Sequence, residues 1–211
     1  PEFVEMLKRV RADTGILLVF DEVITLRLGF GGGQEVFGIA PDLSAIGKII
    51  GGGYPVGAVG GSAEVMSVFD PRQAKPLLPH GGTFNANPVT MVAGEAAMQH
   101  YGRDEIARLG ALGDRARDGI TVAFHESGVP GQVTGLQSLL RIHVHSRPLS
   151  DYRSSLMSPQ EKTFLSAVLR HMRDGGIFVN ERGVCSLSTP MGEAEIDAFL
   201  TCFRGALNAA K

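Results

Sequence analysis

The order of apolar and polar positions predicts a helix followed by several short strands in the first half of the chain. The opening residues form an amphipathic helical pattern that Gly15 would end, and the continuous apolar run 16–20 predicts a parallel strand buried on both faces. Two shorter apolar runs, 43–47 and 56–60, predict further strands, and the glycines between them predict a turn where the backbone passes close to another element. An α/β domain that opens on a crossover helix is expected to have lost its earlier strands. We therefore expect this chain to be the C-terminal part of a longer protein.

The pattern changes near residue 104, where we place a domain boundary between residues 1–104 and 105–211. Just before it, Asn87 and Pro88 predict the start of a helix that is long and nearly uncharged, and so is expected to be buried. Beyond it, charged helical periods alternate with strand-like runs, one of them at 177–180 and another at 184–188. The second part therefore reads as a small α+β domain.

Composition and charge narrow the function classes. The chain has 211 residues, 44% of them hydrophobic, and a net charge of −2 without a basic block, which argues against nucleic acid and anionic membrane as partners. No apolar run has the length needed to span a bilayer, and the N-terminus lacks the pattern of a signal peptide. Two cysteines are too few for a disulfide framework, so a cytoplasmic enzyme is expected.

One lysine stands in an unusual place. Lys48 lies in the apolar, glycine-rich stretch DLSAIGKIIGGGYPVGAVGG, whereas lysine usually keeps its ammonium in water. An apolar pocket would keep its amine neutral and therefore nucleophilic toward carbonyls. Asp21 at the carboxyl end of the predicted strand would need a cationic partner if buried, and Gly82 with Thr83 offers groups that hold phosphate. Taken singly, the aspartate is more often a turn residue and the lysine more often solvated.

Three successive motifs resemble a known family. The segments LLVFDEVIT, GGGQEVFGIAPDLSAIGKIIGGGYPVGAVGG and HGGTFNANPVTMVAG are similar to the C-terminal half of class III (fold type I) pyridoxal-phosphate enzymes, in the group of glutamate-1-semialdehyde aminomutase and the β-amino-acid aminotransferases. The resemblance implies an α/β fold, namely part of a large domain with a mainly parallel sheet and helices, followed by a small α+β domain. It also implies the cofactor pyridoxal 5'-phosphate.

The resemblance assigns roles to residues of this chain. Lys48 would form the Schiff base with the cofactor and shuttle the substrate proton. Asp21 would pair with the pyridinium nitrogen, and Val23 would lie against the ring face. Thr83 and Gly82 would bind the phosphate of the cofactor in the other subunit of a homodimer with shared active sites.

The sequence is compatible with the substrates of two enzyme groups, the β-amino-acid aminotransferases and the aminomutases. Arg182 is similar to an arginine that holds a substrate carboxylate in the β-amino-acid aminotransferases, whereas Glu181 falls where the aminomutases have a glutamate; Arg182 has an equally strong interpretation as a turn residue. We favour an aminotransferase that moves an amino group from a carboxylate-bearing amine to a keto acid. The alternatives are the aminomutase and an inactive remnant that acts as a dimerisation module. His143 and His145 alternate in a strand without a third ligand, so no metal site is predicted.

Overall fold

The computed structural model describes residues 2–72 and 75–211, and the chain divides into two units, residues 1–103 and 104–211. The first unit contains helices α1 (Glu2–Thr14), α2 (Gly32–Phe37), α3 (Ala63–Met66) and α4 (Pro88–His100), and strands β1 (Val19–Asp21), β2 (Leu43–Gly47) and β3 (Gly57–Gly61). The second contains helices α5 (Arg103–Ser127), α6 (Pro159–Asp174) and α7 (Glu193–Ala209), and strands β4 (Gln132–Leu136), β5 (Leu139–His143) and β6 (Val184–Ser186). Short 3₁₀ helices lie at Thr25–Leu28, Lys48–Gly51, Ser67–Phe69 and Arg153–Ser155. None of the described helices is long and apolar enough to cross a membrane.

The sheet of the first unit has the order β1-β2-β3. Strands β1 and β2 are parallel, with Asp21 opposite Ala45, whereas β2 and β3 are antiparallel, with Gly47 opposite Gly57. The antiparallel pairing follows from the short connection 48–56, because a parallel neighbour would need a crossover of about a dozen residues or more.

The connection between α1 and β1 is held by a single carboxylate, that of Asp42. Gly15 ends α1 in the left-handed region at φ +67°, as the sequence predicts. The carboxylate of Asp42 accepts hydrogen bonds from Arg11 Nη2 at 2.5 Å and from the N–H of Leu18 at 2.7 Å. The predicted strand 16–20 is therefore shifted to Val19–Asp21, since the backbone of residue 18 is used by this connection.

Two burial predictions for the first unit are wrong. Strand β1 is not buried on both faces, because the described residues leave the side chains of Val19, which is 57% exposed, and Asp21 uncovered. Helix α4 begins as predicted, with Asn87 Oδ1 accepting from the N–H groups of Val89 and Thr90. Yet only Thr90 and Gly94 of α4 are buried, since described residues cover one face of this apolar helix.

The second unit has a well-formed core between its helices and one sheet face. The strand order is β4-β5-β6, all antiparallel. Side chains of three helices and β5 are almost fully buried against one another, namely Leu109, Ile120, Ile142, Leu165, Val168, Met172, Phe203 and Leu207. The strand predicted at 177–180 is absent, because its backbone bonds go elsewhere: the N–H of Ile177 caps α6 at Met172 O, and Asn180 O accepts from Gly183 N.

Two histidines are buried at the carboxyl end of β5, His143 as its last residue and His145 two residues beyond it. Both His143 and His145 are 3% exposed, and their ring centroids are 5.7 Å apart. His143 Nε2 is 3.0 Å from Thr134 Oγ1, whereas neither ring nitrogen of His145 has a hydrogen-bond partner among the described residues. Burial, together with Arg141 and His145, lowers the pKa of His143 to about 4. Within the described residues, no three His, Cys, Asp or Glu side chains gather closely enough to hold a metal ion.

We expect the second unit to lose stability as the pH falls from about 6.5 to about 4.5. His143 takes up its proton near pH 6.5 when unfolded but only near pH 4 when folded, so the unfolded state binds more protons in this window. Protonation of this one group should lower the free energy of unfolding by roughly 2–3 kcal/mol. Glu161, whose pKa is lowered to about 2 chiefly by its hydrogen bond with Arg147, contributes only at still lower pH.

Urea unfolding at a series of pH values measures this dependence, and His143→Gln is the matched variant because its amide can still bond to Thr134. The variant should show a flatter profile between pH 6.5 and 4.5. Equal slopes for the two proteins would contradict the role of His143.

Candidate active site

The parallel pair β1 and β2 brings three of the predicted residues to one edge of the first sheet. Asp21 ends β1, and its partner Ala45 lies three residues before Lys48, which directly follows β2. Val23 lies beside the same strand end, since a methyl group on Gly47 would be 3.6 Å from Val23 Cγ1. Ligands of open α/β sheets bind at the carboxyl ends of the strands, which is this edge.

Asp21 is exposed, so the expectation of a buried carboxylate at this position is wrong. Its Oδ1 accepts from the N–H of Val23 at 3.1 Å, which fixes the carboxylate over the turn that follows β1. Its Oδ2 has no protein partner among the described residues. One oxygen is thus positioned and the other is available to a ligand.

The buried carboxylate is that of Glu22, which is 0% exposed. It accepts from the N–H of Gly33 at 2.9 Å, from the N–H of Gln34 at 2.7 Å and from the hydroxyl of Thr25. The two N–H groups belong to the first turn of α2, where a negative charge is favoured. Sequence reasoning missed Glu22; the glycine run at the start of α2 was the available signal, because a Cβ at Gly32 would be 2.9 Å from Glu22 Oε1.

Lys48 begins a 3₁₀ helix with φ +50°, in the left-handed region that costs a residue with a side chain roughly 1 kcal/mol or more. The side chain is exposed, so the expectation of an apolar pocket around it is wrong for the described residues. Its Nζ makes no hydrogen bond or ion pair with any of them. Lys48 therefore presents a free amine from a backbone held in an unusual conformation.

The glycines after Lys48 bring its 3₁₀ helix against α4. A Cβ at Gly52 would lie 2.2 Å from Ala93 O, and one at Gly94 would lie 2.1 Å from Ile50 O. Only glycine allows backbones to approach this closely. The close approach predicted from the glycine run therefore exists, and α4 is the element that the backbone meets.

The loop before α4 holds two further predicted residues. Gly82 and Thr83 are both exposed, and the hydroxyl of Thr83 has no hydrogen-bond partner among the described residues. The loop is folded back on itself, since Gly82 O accepts from Asn85 N at 3.0 Å and Asn85 Nδ2 is 3.2 Å from His80 Nε2. The unpaired Thr83 hydroxyl thus belongs to an ordered turn that leads directly into α4.

Glu181 and Arg182 belong to the second unit, and both are exposed. They form a turn in which Asn180 Oδ1 accepts from Arg182 N at 2.8 Å and from Val184 N at 3.1 Å. Gly183 completes it at φ +72°. The backbone of Arg182 therefore has the predicted turn role, and its guanidinium has no partner among the described residues.

Comparison with known proteins gives a consistent result. The family model for class-III aminotransferases matches residues 1–207. The β-phenylalanine transaminase of Variovorax paradoxus is 38% identical over 95% of this chain and 45% of its own length. A glutamate-1-semialdehyde 2,1-aminomutase of Desulfotalea psychrophila is 35% identical over 85% of this chain and 41% of its own length.

Solved structures share the fold. An ω-transaminase from Sphaerobacter thermophilus has 54% sequence identity and a TM-score of 0.97, over 100% of this chain and 48% of the other. A transaminase with PLP bound has 35% identity and a TM-score of 0.90, over 99% of this chain and 48% of the other. The fold predicted from the sequence is thereby confirmed. The chain spans just under half the length of these relatives.

We expect Gly94→Ala to destabilise the first unit. The added methyl group would meet Ile50 O, and a backbone carbonyl cannot move away by changing rotamer. Overpacking of this kind costs roughly 1–3 kcal/mol, which exceeds the gain of up to about 1 kcal/mol from replacing a glycine within a helix.

Thermal unfolding measures the effect. Gly57→Ala is the matched control, because nothing lies within 4 Å of its added Cβ. A Gly94→Ala protein as stable as the Gly57→Ala protein would show that α4 and the segment after Lys48 are not tightly packed.

Proposed function

The chain belongs to the class-III aminotransferase family, and from this premise we propose that its protein transfers an amino group from a carboxylate-bearing amine to a keto acid. The cofactor is pyridoxal 5'-phosphate, attached to Lys48 as a Schiff base. The family resemblance seen in the sequence motifs is confirmed. The observation that carries the proposal is the parallel register of β1 and β2, which brings Asp21 and Lys48 to the same end of the sheet, each with a polar atom that no described residue binds.

The residues at this edge fit the cofactor. A pyridinium nitrogen needs an acidic partner, and Asp21 Oδ2 is an acceptor without a protein donor. A carbonyl needs an amine that no protein group occupies, and none of the described residues bonds to Nζ of Lys48. The apolar side chain of Val23 lies close to Gly47, the residue before Lys48, and offers a surface for an aromatic ring.

When bound, the cofactor supplies an electron sink for the bond to the amine-bearing carbon. Nζ of Lys48, released from the cofactor when the substrate amine takes its place, would accept the proton from that carbon and give it up again to complete the transfer. Asp21 would keep the ring nitrogen protonated through Oδ2 while its Oδ1 stays fixed by the N–H of Val23.

We assign Thr83 and Gly82 to the phosphate of a cofactor bound in the other subunit of a homodimer. Their support is an unpaired hydroxyl and exposed backbone next to the N-terminus of a 13-residue helix, where phosphate is favoured. Each active site would then require both chains.

For the substrate, we assign its carboxylate to Arg182. A guanidinium without a protein partner suits a carboxylate through two parallel hydrogen bonds, which favours an aminotransferase for β-amino acids. The second candidate is an aminomutase, which the exposed Glu181 beside it would serve. Both activities are named among the relatives.

Mixing two inactive variants tests the proposed function and the shared site together. Lys48→Ala removes the amine, and Thr83→Asp places a negative charge where phosphate would bind. If each site takes Lys48 from one chain and Thr83 from the other, a hybrid dimer keeps one intact site. Co-expression of the two variants should therefore restore about a quarter of the wild-type transamination rate, because about half of the dimers are hybrids.

Each variant expressed alone is the control and should be inactive. Undiminished turnover by Lys48→Ala would refute the role of the amine, and no gain on mixing would refute the sharing of sites. A wild-type protein with no transaminase activity would favour the inactive dimerisation module.

Replacing Arg182 tests the substrate assignment. Arg182→Lys should raise the KM for a β-amino acid roughly tenfold to a hundredfold, because lysine loses the paired hydrogen bonds to a carboxylate. The KM for an amine of the same skeleton without the carboxylate should change little. Steady-state kinetics with both substrates measure this difference, and equal effects on the two would contradict it. If Glu181→Gln is the impaired variant instead, the aminomutase is favoured.

A further inference from the structure

We infer that Glu22 is a positioning residue that fixes Asp21 and Val23 toward the cofactor. This inference rests on the proposed function. It concerns a residue that does not itself face the sheet edge, since the side chain of Glu22 is fully buried whereas that of Asp21 is exposed.

The side chain of Glu22 ties the turn after β1 to α2. Its Oε1 accepts from Gln34 N at 2.7 Å, and its Oε2 accepts from Gly33 N at 2.9 Å and from the Thr25 hydroxyl. All three partners are donors, so a carboxylate satisfies them and a neutral amide cannot. An amide NH₂ in either orientation would face at least one donor.

The backbone of Glu22 ties the same turn to β2. Its N–H donates to Ala45 O at 2.8 Å, which continues the parallel ladder one step beyond Asp21. Its carbonyl accepts from Leu26 N at 3.0 Å. Glu22 is therefore joined on one side to the strand that leads to Lys48 and on the other to the segment that leads to α2.

Thr25 connects this anchor to Asp21 itself. Its hydroxyl has one hydrogen, which it donates to Glu22 Oε2, and the hydroxyl oxygen also lies in contact with Asp21 O at 3.4 Å. Thr25 thus packs against the backbone of Asp21, while the hydrogen bond from Val23 N holds the carboxylate of Asp21 at Oδ1. Loss of the Glu22 carboxylate would free the turn that carries Asp21 and Val23.

The test compares Glu22→Gln, Thr25→Val and Asp21→Asn with the wild-type protein in their binding of pyridoxal phosphate. We expect all three to weaken pyridoxal-phosphate binding, the first two by roughly tenfold to a hundredfold, as is typical when the partner of a ligand residue is removed. All three should also shift the visible absorption band of the bound cofactor in the same direction. Titration of the cofactor-free protein followed by absorbance gives both quantities without an activity assay.

Ser44→Ala is the matched control, because it removes the 3.3 Å bond from Gln34 Nε2 and so loosens the same segment without touching Glu22 or Asp21. It should lower the unfolding temperature while keeping wild-type affinity and spectrum. If Glu22→Gln and Thr25→Val behave like Ser44→Ala, Glu22 is merely structural and the inference is overturned. If Glu22→Gln does not fold, Thr25→Val decides.

The same set separates this inference from the proposed function. An Asp21→Asn protein with wild-type affinity and spectrum would show that Asp21 is not the cofactor ligand, and the inference would fail with it. Altered cofactor binding by Asp21→Asn with unaltered binding by the other two would overturn only the role of Glu22.

Discussion

The parallel pairing of β1 with β2 is the constraint on which the candidate site depends. Because the two strands run in the same direction, the residues that follow them, Asp21 with its turn and Lys48, leave the sheet at one edge. An antiparallel pair would have sent the acid and the amine to opposite ends. The register of the pair sets how far along the chain Lys48 lies from Asp21: Asp21 is opposite Ala45, which is three residues before Lys48.

Two contacts then fix what the pairing brings together. On the lysine side, Gly52 and Gly94 let the segment after Lys48 meet α4 backbone to backbone, directly after the positive φ of Lys48. On the acid side, the buried carboxylate of Glu22 ties the turn after Asp21 to α2. Helix α4 begins at the loop of Thr83, so one rigid element connects the proposed phosphate ligand to the backbone of Lys48.

Local signals made part of this arrangement predictable from the sequence. The cap at Asn87, the end of α1 at Gly15 and the close approach at the glycine run each depend on a few neighbouring residues, and the structure has all three. The burial of α4 and the strand at 177–180 were wrong because they depend on which other elements cover or pair with a segment. Glu22 was missed for a similar reason: its three donors lie 3, 11 and 12 residues away, and the glycine run among them shows a close approach without showing what approaches.

The central claim is that Lys48 holds the cofactor, and reduction with borohydride tests it most directly. The protein would be incubated with pyridoxal phosphate, reduced, digested and analysed by peptide mass spectrometry, with Lys48→Ala treated in parallel. The account predicts a pyridoxyl adduct on the peptide that contains Lys48 and on no peptide of the variant. An adduct on Lys8, Lys75, Lys162 or Lys211 alone, or none at all, would contradict it.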